Sequence, residues 1–138
     1  MSLIVVDTSI TLAWCFEDEA TPQTQALLDR LAVDEAIVPS LWHLELANVL
    51  SLAERHGRLT PARTAQFTSL LHALPITVDT ETATHALGDT LNLCRAHRLT
   101  AYDAAYLELA MRRGAALATK DAALRRAAGG LGVELLGV

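Results

Sequence analysis

The sequence predicts an α/β domain with a central, mostly parallel sheet of four to five short strands covered by helices on both faces. Three observations carry this. Short apolar runs rich in β-branched residues alternate with longer helical segments along the chain, and a strand apolar at every position is buried on both faces. The 138 residues are enough for one domain with a real core. The composition, 51% hydrophobic with 4% aromatic residues, suits a helix-rich globule and excludes a disordered chain. No repeat, low-complexity tract or linker interrupts the pattern, so residues 1–138 are read as a single domain.

Residues 3–6, Leu-Ile-Val-Val, are the first strand. A short helix at 10–16 and an acidic loop, Glu17-Asp18-Glu19, follow. Pro22, with its φ already set for a helix, opens a segment running from 23 to about 32. Residues 36–38 are the second strand, closed by Pro39. The strong helical pattern of 41–56 ends at Gly57, a C-cap residue. Thr60-Pro61 caps and starts a helix to about 74, Pro75 stops it, and 76–78 are the third strand. Thr80 begins a long helical segment to about 97, and Thr100 a helix that stops near Gly114. Residues 115–118 are the fourth strand and 120–128 a helix. Gly129-Gly130 then turns the chain into a last strand at 133–136.

Eleven basic and sixteen acidic residues give a net charge of −5, which excludes a nucleic-acid binder that relies on a broad basic surface. Cys15 and Cys94 stand in no metal-ligand spacing and read as reduced core thiols, which suits a cytoplasmic protein. The start of the chain lacks a basic segment and a signal-length apolar run, and no charge-free stretch is long enough to span a membrane.

In parallel α/β sheets, ligands bind beyond the carboxyl ends of strands, where strand order reverses. Asp7 ends the first strand in Asp7-Thr8-Ser9, and Asp121 follows the fourth in Thr119-Lys120-Asp121. Each also qualifies as a helix N-cap or a first-turn acid. Asp103 completes a loose capping box with Thr100 and heads a helix apolar on nearly every side, which marks it as buried. The helix dipole there is expected to lower the pKa of Asp103. Glu108 and Arg112, four residues apart, read as an exposed pair. Glu45 and Asn48 form a narrow polar stripe on an otherwise apolar helix. Four carboxylates in one pocket could not all stay ionised unless cations neutralised them. Mg²⁺ takes oxygen ligands and is commonly held by one or two carboxylates plus substrate phosphate. Two such ions would bring the charge from −5 to about −1.

The chain resembles the PIN-domain ribonucleases, most closely the VapC toxins of bacterial toxin–antitoxin pairs. The likeness rests on four stretches in order: Val5-Val6-Asp7-Thr8-Ser9, Glu45-Leu46-Ala47-Asn48-Val49-Leu50, Thr100-Ala101-Tyr102-Asp103-Ala104-Ala105-Tyr106-Leu107, and Ala118-Thr119-Lys120-Asp121. The third is the most specific. The resemblance implies a three-layer α/β/α fold and one Mg²⁺ or Mn²⁺ site at which the acids converge. Asp7 and Asp103 match the positions of direct metal contact, and Glu45 and Asp121 those that complete the site or orient water. Ser9 and Thr119 match supporting hydroxyls, and Asn48 a supporting amide. The implied activity is metal-assisted endonucleolytic hydrolysis of RNA.

The same resemblance implies a homodimer and a cognate VapB-like antitoxin, the two assembling into a heterotetramer or larger. The antitoxin would block the acidic site and lie over apolar grooves to which Trp14, Phe16, Trp42 and Leu52 could contribute. Arg112, Arg113, Lys120, Arg125 and Arg126 are candidate contacts to the RNA backbone. Two other classes compete. An aspartyl-phosphate phosphotransfer domain needs a second acid two residues after the first, where this chain has Ser9, or the acid pair of a receiver, which it lacks. A PIN-like interaction module without catalytic activity would retain its acids for structure or for pairing with a basic partner, and the presence of all four argues against it.

Overall fold

The computed structural model describes residues 2–137. Four parallel strands, β1 (Leu3–Val6), β2 (Glu35–Pro39), β3 (Ile76–Asp79) and β4 (Ala116–Ala118), form one sheet in the order β3-β2-β1-β4. The chain builds outward from β1 through β2 to β3, then crosses to the other edge of β1 for β4. Strand order therefore reverses between β1 and β4, the position at which sheets of this kind place a ligand-binding crevice, beyond the carboxyl ends of the strands. Asp7 and Thr119 sit there, each directly after its strand, and the Asp7 amide donates to the Ala118 carbonyl at 3.2 Å.

The register aligns Val5 with Ile37 and Leu117, and Ile4 with Ala36 and Ala116. Because side chains alternate along a strand, this gives the sheet two apolar faces. Val5, Ile37 and Leu117 join one core with side chains of α3 (Trp42–Arg55), α4 (Pro61–Ala73), α7 (Ala101–Arg113) and α8 (Ala122–Gly130). Ile4, Val6, Ala36, Ala116 and Ala118 pack on Leu27 of α2 (Pro22–Arg30) and Leu31 beyond it. Helices on both faces make the three layers.

Helix boundaries follow local chemistry. Thr21, Thr60 and Thr100 each accept a backbone N–H with their hydroxyl at a helix start, and Pro22 and Pro61 take the first helical position. Gly114 ends α7 in the left-handed region at φ +60°. In α7 the residues from Ala104 to Ala110 are all buried, the all-round burial that its composition predicts. α1 (Thr8–Ala13) hangs from the end of β1, where the Thr11 hydroxyl donates to the Asp7 carbonyl (2.9 Å) and accepts from the Trp42 indole (3.1 Å).

Three expectations change. The acidic stretch Glu17–Glu19 is a 3₁₀ turn. The helical segment predicted from Thr80 to about 97 is broken into α5 (Thr82–His85), a π-helical stretch Ala86–Thr90 kinked at Gly88, and α6 (Leu91–His97). The fifth strand shrinks to a single bridge between Leu117 and Leu135, closed by the Leu117 amide on the Glu134 carbonyl and the Leu136 amide on the Leu117 carbonyl.

Candidate active site

Asp7 is the most constrained of the predicted acids. It is buried, and one oxygen, Oδ1, accepts from the Ser9 hydroxyl (2.6 Å) and the Ile10 amide (3.2 Å). The Thr119 hydroxyl donates to the other oxygen, Oδ2. Asp7 is thus both the N-cap of α1 and the centre of a crosslink between β1 and β4. The crosslink continues outward: the Lys120 amide donates to Ser9 Oγ and the Asp121 amide to Thr119 Oγ1, each at 3.0 Å. Ser9 and Thr119 therefore hold the carboxylate while the backbone after β4 holds their hydroxyls. Burial raises the Asp7 pKa above the usual carboxylate range, with Asp103 adding repulsion, and the hydroxyl and amide donors counter part of that rise.

Glu45 projects from the first turn of α3 into a second small network. Its Oε1 accepts from the Tyr106 hydroxyl at 2.6 Å and the Thr8 hydroxyl at 3.0 Å. Tyr106 is fully buried, and burial followed by the Glu45 contact holds its hydroxyl well above the ordinary phenol range, so it remains a proton donor. Neither Thr8 nor Tyr106 was among the predicted site residues. The signal was present for Tyr106: it stands one turn after Asp103 on a buried helix, and a buried phenol needs a partner.

Asp103 occupies the first turn of α7, half-buried, with its amide capped by the Thr100 hydroxyl at 3.1 Å. Its pKa is raised, against the expectation that the helix dipole would lower it. Burial is the main cause, and the charges of Asp121 and then Glu45 add to it. Burial and like charges together outweigh the dipole here. Asp121 is exposed and caps α8 by accepting the Leu124 amide at 2.8 Å.

Asn48 is not drawn in: it is exposed on α3, one turn beyond Glu45. Glu108 and Arg112 pair as the spacing predicts, but Glu108 is buried and Arg112 largely withdrawn from solvent. Arg112 forks onto Glu108 (2.7 and 3.1 Å) and onto Asp79 at the end of β3 (2.8 and 3.0 Å). That removes Arg112 from the candidate RNA contacts. Lys120 donates to the Glu19 carbonyl (2.6 Å), and Arg125 to the carbonyls of Thr119 and Leu136, so both are tied into the fold. Arg113 and Arg126 stay exposed. Of the proposed groove residues, Phe16 and Trp42 are buried in the core, while Leu52 is exposed.

The PIN domain family matches residues 4–130. The chain belongs to the PIN domain family. PIN domains are generally nucleases and generally use divalent metal ions. Three solved structures share this PIN fold. "Crystal Structure of PAE2754 from Pyrobaculum aerophilum" is 19% identical, covers 91% of this chain and 84% of its own, and has a TM-score of 0.67. VapBC2 from Rickettsia felis, bound to a DNA fragment from the promoter, is 12% identical, covers 96% of each chain and has a TM-score of 0.70. FitAcB from Neisseria gonorrhoeae is 19% identical, covers 97% and 96%, and has a TM-score of 0.55. No curated protein matches the sequence. No helix among the described residues is long and apolar enough to cross a membrane.

The donors grouped beyond β1 and β4 are carboxylate and hydroxyl oxygens, the chemistry that hard divalent cations select. Among the described residues no group of three or more His, Cys, Asp or Glu side chains is arranged to hold a metal ion outright. The charge of Asp103 adds to the raised pKa of Asp7, and the charges of Asp121 and Glu45 add to that of Asp103.

Proposed function

We propose that this PIN domain is a Mg²⁺- or Mn²⁺-dependent endoribonuclease and the toxin of a VapBC-type pair. The observation that carries the reading is the placement of the acids: Asp7 and Asp121 follow the two strands between which strand order reverses, and Glu45 of α3 is tied through Tyr106 to α7, the helix that carries Asp103. A cluster that repels itself is stabilised by cations, and its all-oxygen donor set suits Mg²⁺ and Mn²⁺.

In this reading Asp7, Asp103, Glu45 and Asp121 hold the metal. A divalent ion so held polarises a phosphoryl oxygen and makes water more acidic, which is the chemistry RNA hydrolysis needs. The chain's own residues supply orientation. Ser9 and Thr119 fix both oxygens of Asp7, and the Ile10 amide holds one of them again. Tyr106, kept protonated, and Thr8 turn Glu45 toward the crevice. α7 is buried for most of its length, so it gives Asp103 a rigid mount. Two of the neighbouring structures carry toxin–antitoxin names, VapBC2 and FitAcB, and they support a protein antitoxin as partner. Homodimer formation and the heterotetrameric or larger complex belong to the same proposal.

The test is cleavage of total cellular RNA by the antitoxin-free protein, with Mg²⁺ or Mn²⁺, with EDTA, and with Asp7→Asn and Asp103→Asn. Metal-dependent cleavage that both substitutions abolish supports the reading. Cleavage that survives both sinks the site assignment. No metal binding by calorimetry together with no cleavage would turn the reading to an interaction module.

A further inference from the structure

Six aromatic residues occur in the chain, and the fold uses nearly all of them. Phe16, Trp42, Phe67 and Tyr106 are buried, and Trp14 is partly buried with its indole N–H bound to the Thr24 carbonyl at 2.9 Å. Tyr102 differs: it is 63% exposed. It lies in the first turn of α7, immediately before Asp103. Leu44, 76% exposed, immediately precedes Glu45 on α3. Each of these two acids is thus preceded by a large apolar side chain left in water. On a helix, adjacent residues diverge by roughly 100°, so each of these side chains leaves its helix on a side next to that of the acid it precedes.

The charge pattern says what such side chains are for. The protein carries a net charge of −5, and three of the five cations suited to a phosphate backbone, Arg112, Lys120 and Arg125, are committed to holding the fold. Phosphate contacts alone are therefore a weak grip. Unpaired bases offer another, because every base has a π-face that stacks on an aromatic ring.

We infer that Tyr102, with Leu44 on the other acid-bearing helix, is a stacking platform for an unpaired nucleobase beside the scissile phosphate, making it a specificity-determining contact for single-stranded RNA. This rests on the nuclease reading. Tyr102 would act on substrate affinity and on which base is accepted next to the cut, while the acids act on the reaction itself.

The experiment compares wild type, Tyr102→Ala, Tyr102→Phe, Tyr102→Leu and Leu44→Ala on a randomised single-stranded RNA pool and on a duplex of matched length. It measures kcat, KM and the bases flanking each cut, with Mg²⁺ or Mn²⁺ present. Loss of one stacked base raises KM for single strands by about tenfold. The expected result is that rise for Tyr102→Ala, with kcat changed less than about threefold and a flatter base preference. Tyr102→Phe keeps wild-type values, Tyr102→Leu falls between, and Leu44→Ala shows a smaller rise. Wild-type KM and base preference in Tyr102→Ala would overturn the platform while leaving the nuclease reading intact. So would an equal loss in Tyr102→Phe, which would point to the hydroxyl, or an equal rise in KM on the duplex. If wild type cuts no RNA, the nuclease reading falls first and takes the platform with it.

Discussion

Replacing Arg112 with Met keeps most of the side chain's apolar stem and removes the guanidinium that serves two buried carboxylates. Arg112 forks onto Glu108 with Nε at 2.7 Å and onto Asp79 with its two terminal nitrogens at 2.8 and 3.0 Å. The exposures are 18% for the Arg112 side chain, 4% for Asp79 and 6% for Glu108. Removing one partner of a buried ion pair costs about 3–5 kcal/mol, because the remaining charge is left desolvated. The low end, about 3 kcal/mol, applies here because Arg112 retains some water and each acid can protonate instead. A chain of this length unfolds with an entropy of about 0.3 kcal/mol per kelvin, so the melting temperature falls by about 10 °C at neutral pH.

The pH dependence gives a sharper test. In wild type the Arg112 hydrogen bonds hold the Asp79 carboxyl below its usual range. Its contribution to stability is present above the unfolded pKa, about 4, and is lost as pH falls through the folded pKa. In Arg112→Met, Asp79 is buried without its cation, and its folded pKa rises. Its contribution to stability is then present below about pH 4 and lost as pH climbs through the raised value. Between about pH 4 and 7 the variant gains stability on acidification, opposite in sign to the wild-type trend for Asp79. Thermal and urea unfolding across that range measure both effects. A loss below about 1 kcal/mol, or a pH slope matching wild type, would refute the reasoning.

Tyr106→Phe removes the hydroxyl that donates to Glu45 while keeping the ring; RNA cleavage should fall about tenfold with the circular dichroism spectrum unchanged. Thr119→Val deletes a donor that lowers the Asp7 pKa, so Asp7 ionises at higher pH and the acidic limb of the pH–rate profile should move upward. Gly114→Ala tests the cap of α7: space around a new Cβ is open, so the cost is the left-handed backbone alone, about 1 kcal/mol in urea unfolding.

The features legible in the sequence were those written in local chemistry. Thr60 and Thr100 announce helix starts through hydroxyls three residues from the amides they cap, Pro22 opens another helix, and Gly114 announces an end. Asp7 and Asp121 could be placed at strand ends because apolar runs precede them, and the strand-order rule then put them on one side of the sheet. What escaped depends on long-range partners. Glu108 and Arg112 look like a solvated pair until Asp79, 33 residues before Arg112, arrives at the end of β3. Tyr106 finds Glu45 across 61 residues. The last strand failed for a different reason: after Gly129-Gly130 the chain turns back with room for a single bridge to β4.

Asp103 was placed correctly on α7 but with the wrong electrostatics, and the error is instructive. A helix N-terminus favours a carboxylate by roughly 0.3–1 kcal/mol at the surface. Here the acid is half-buried and repelled by the charges of Asp121 and Glu45, and those two effects raise its pKa despite the dipole. Asp7 is subject to the same burial and repulsion. The cap positions that start α1 and α8 and the first turn of α7 therefore carry charges that the fold alone does not neutralise. In the proposed function that imbalance is what makes the crevice select a divalent cation, and a basic side chain from an antitoxin would answer the same charge. Cofactor and inhibitor would then compete for one electrostatic need, set by where three helices begin.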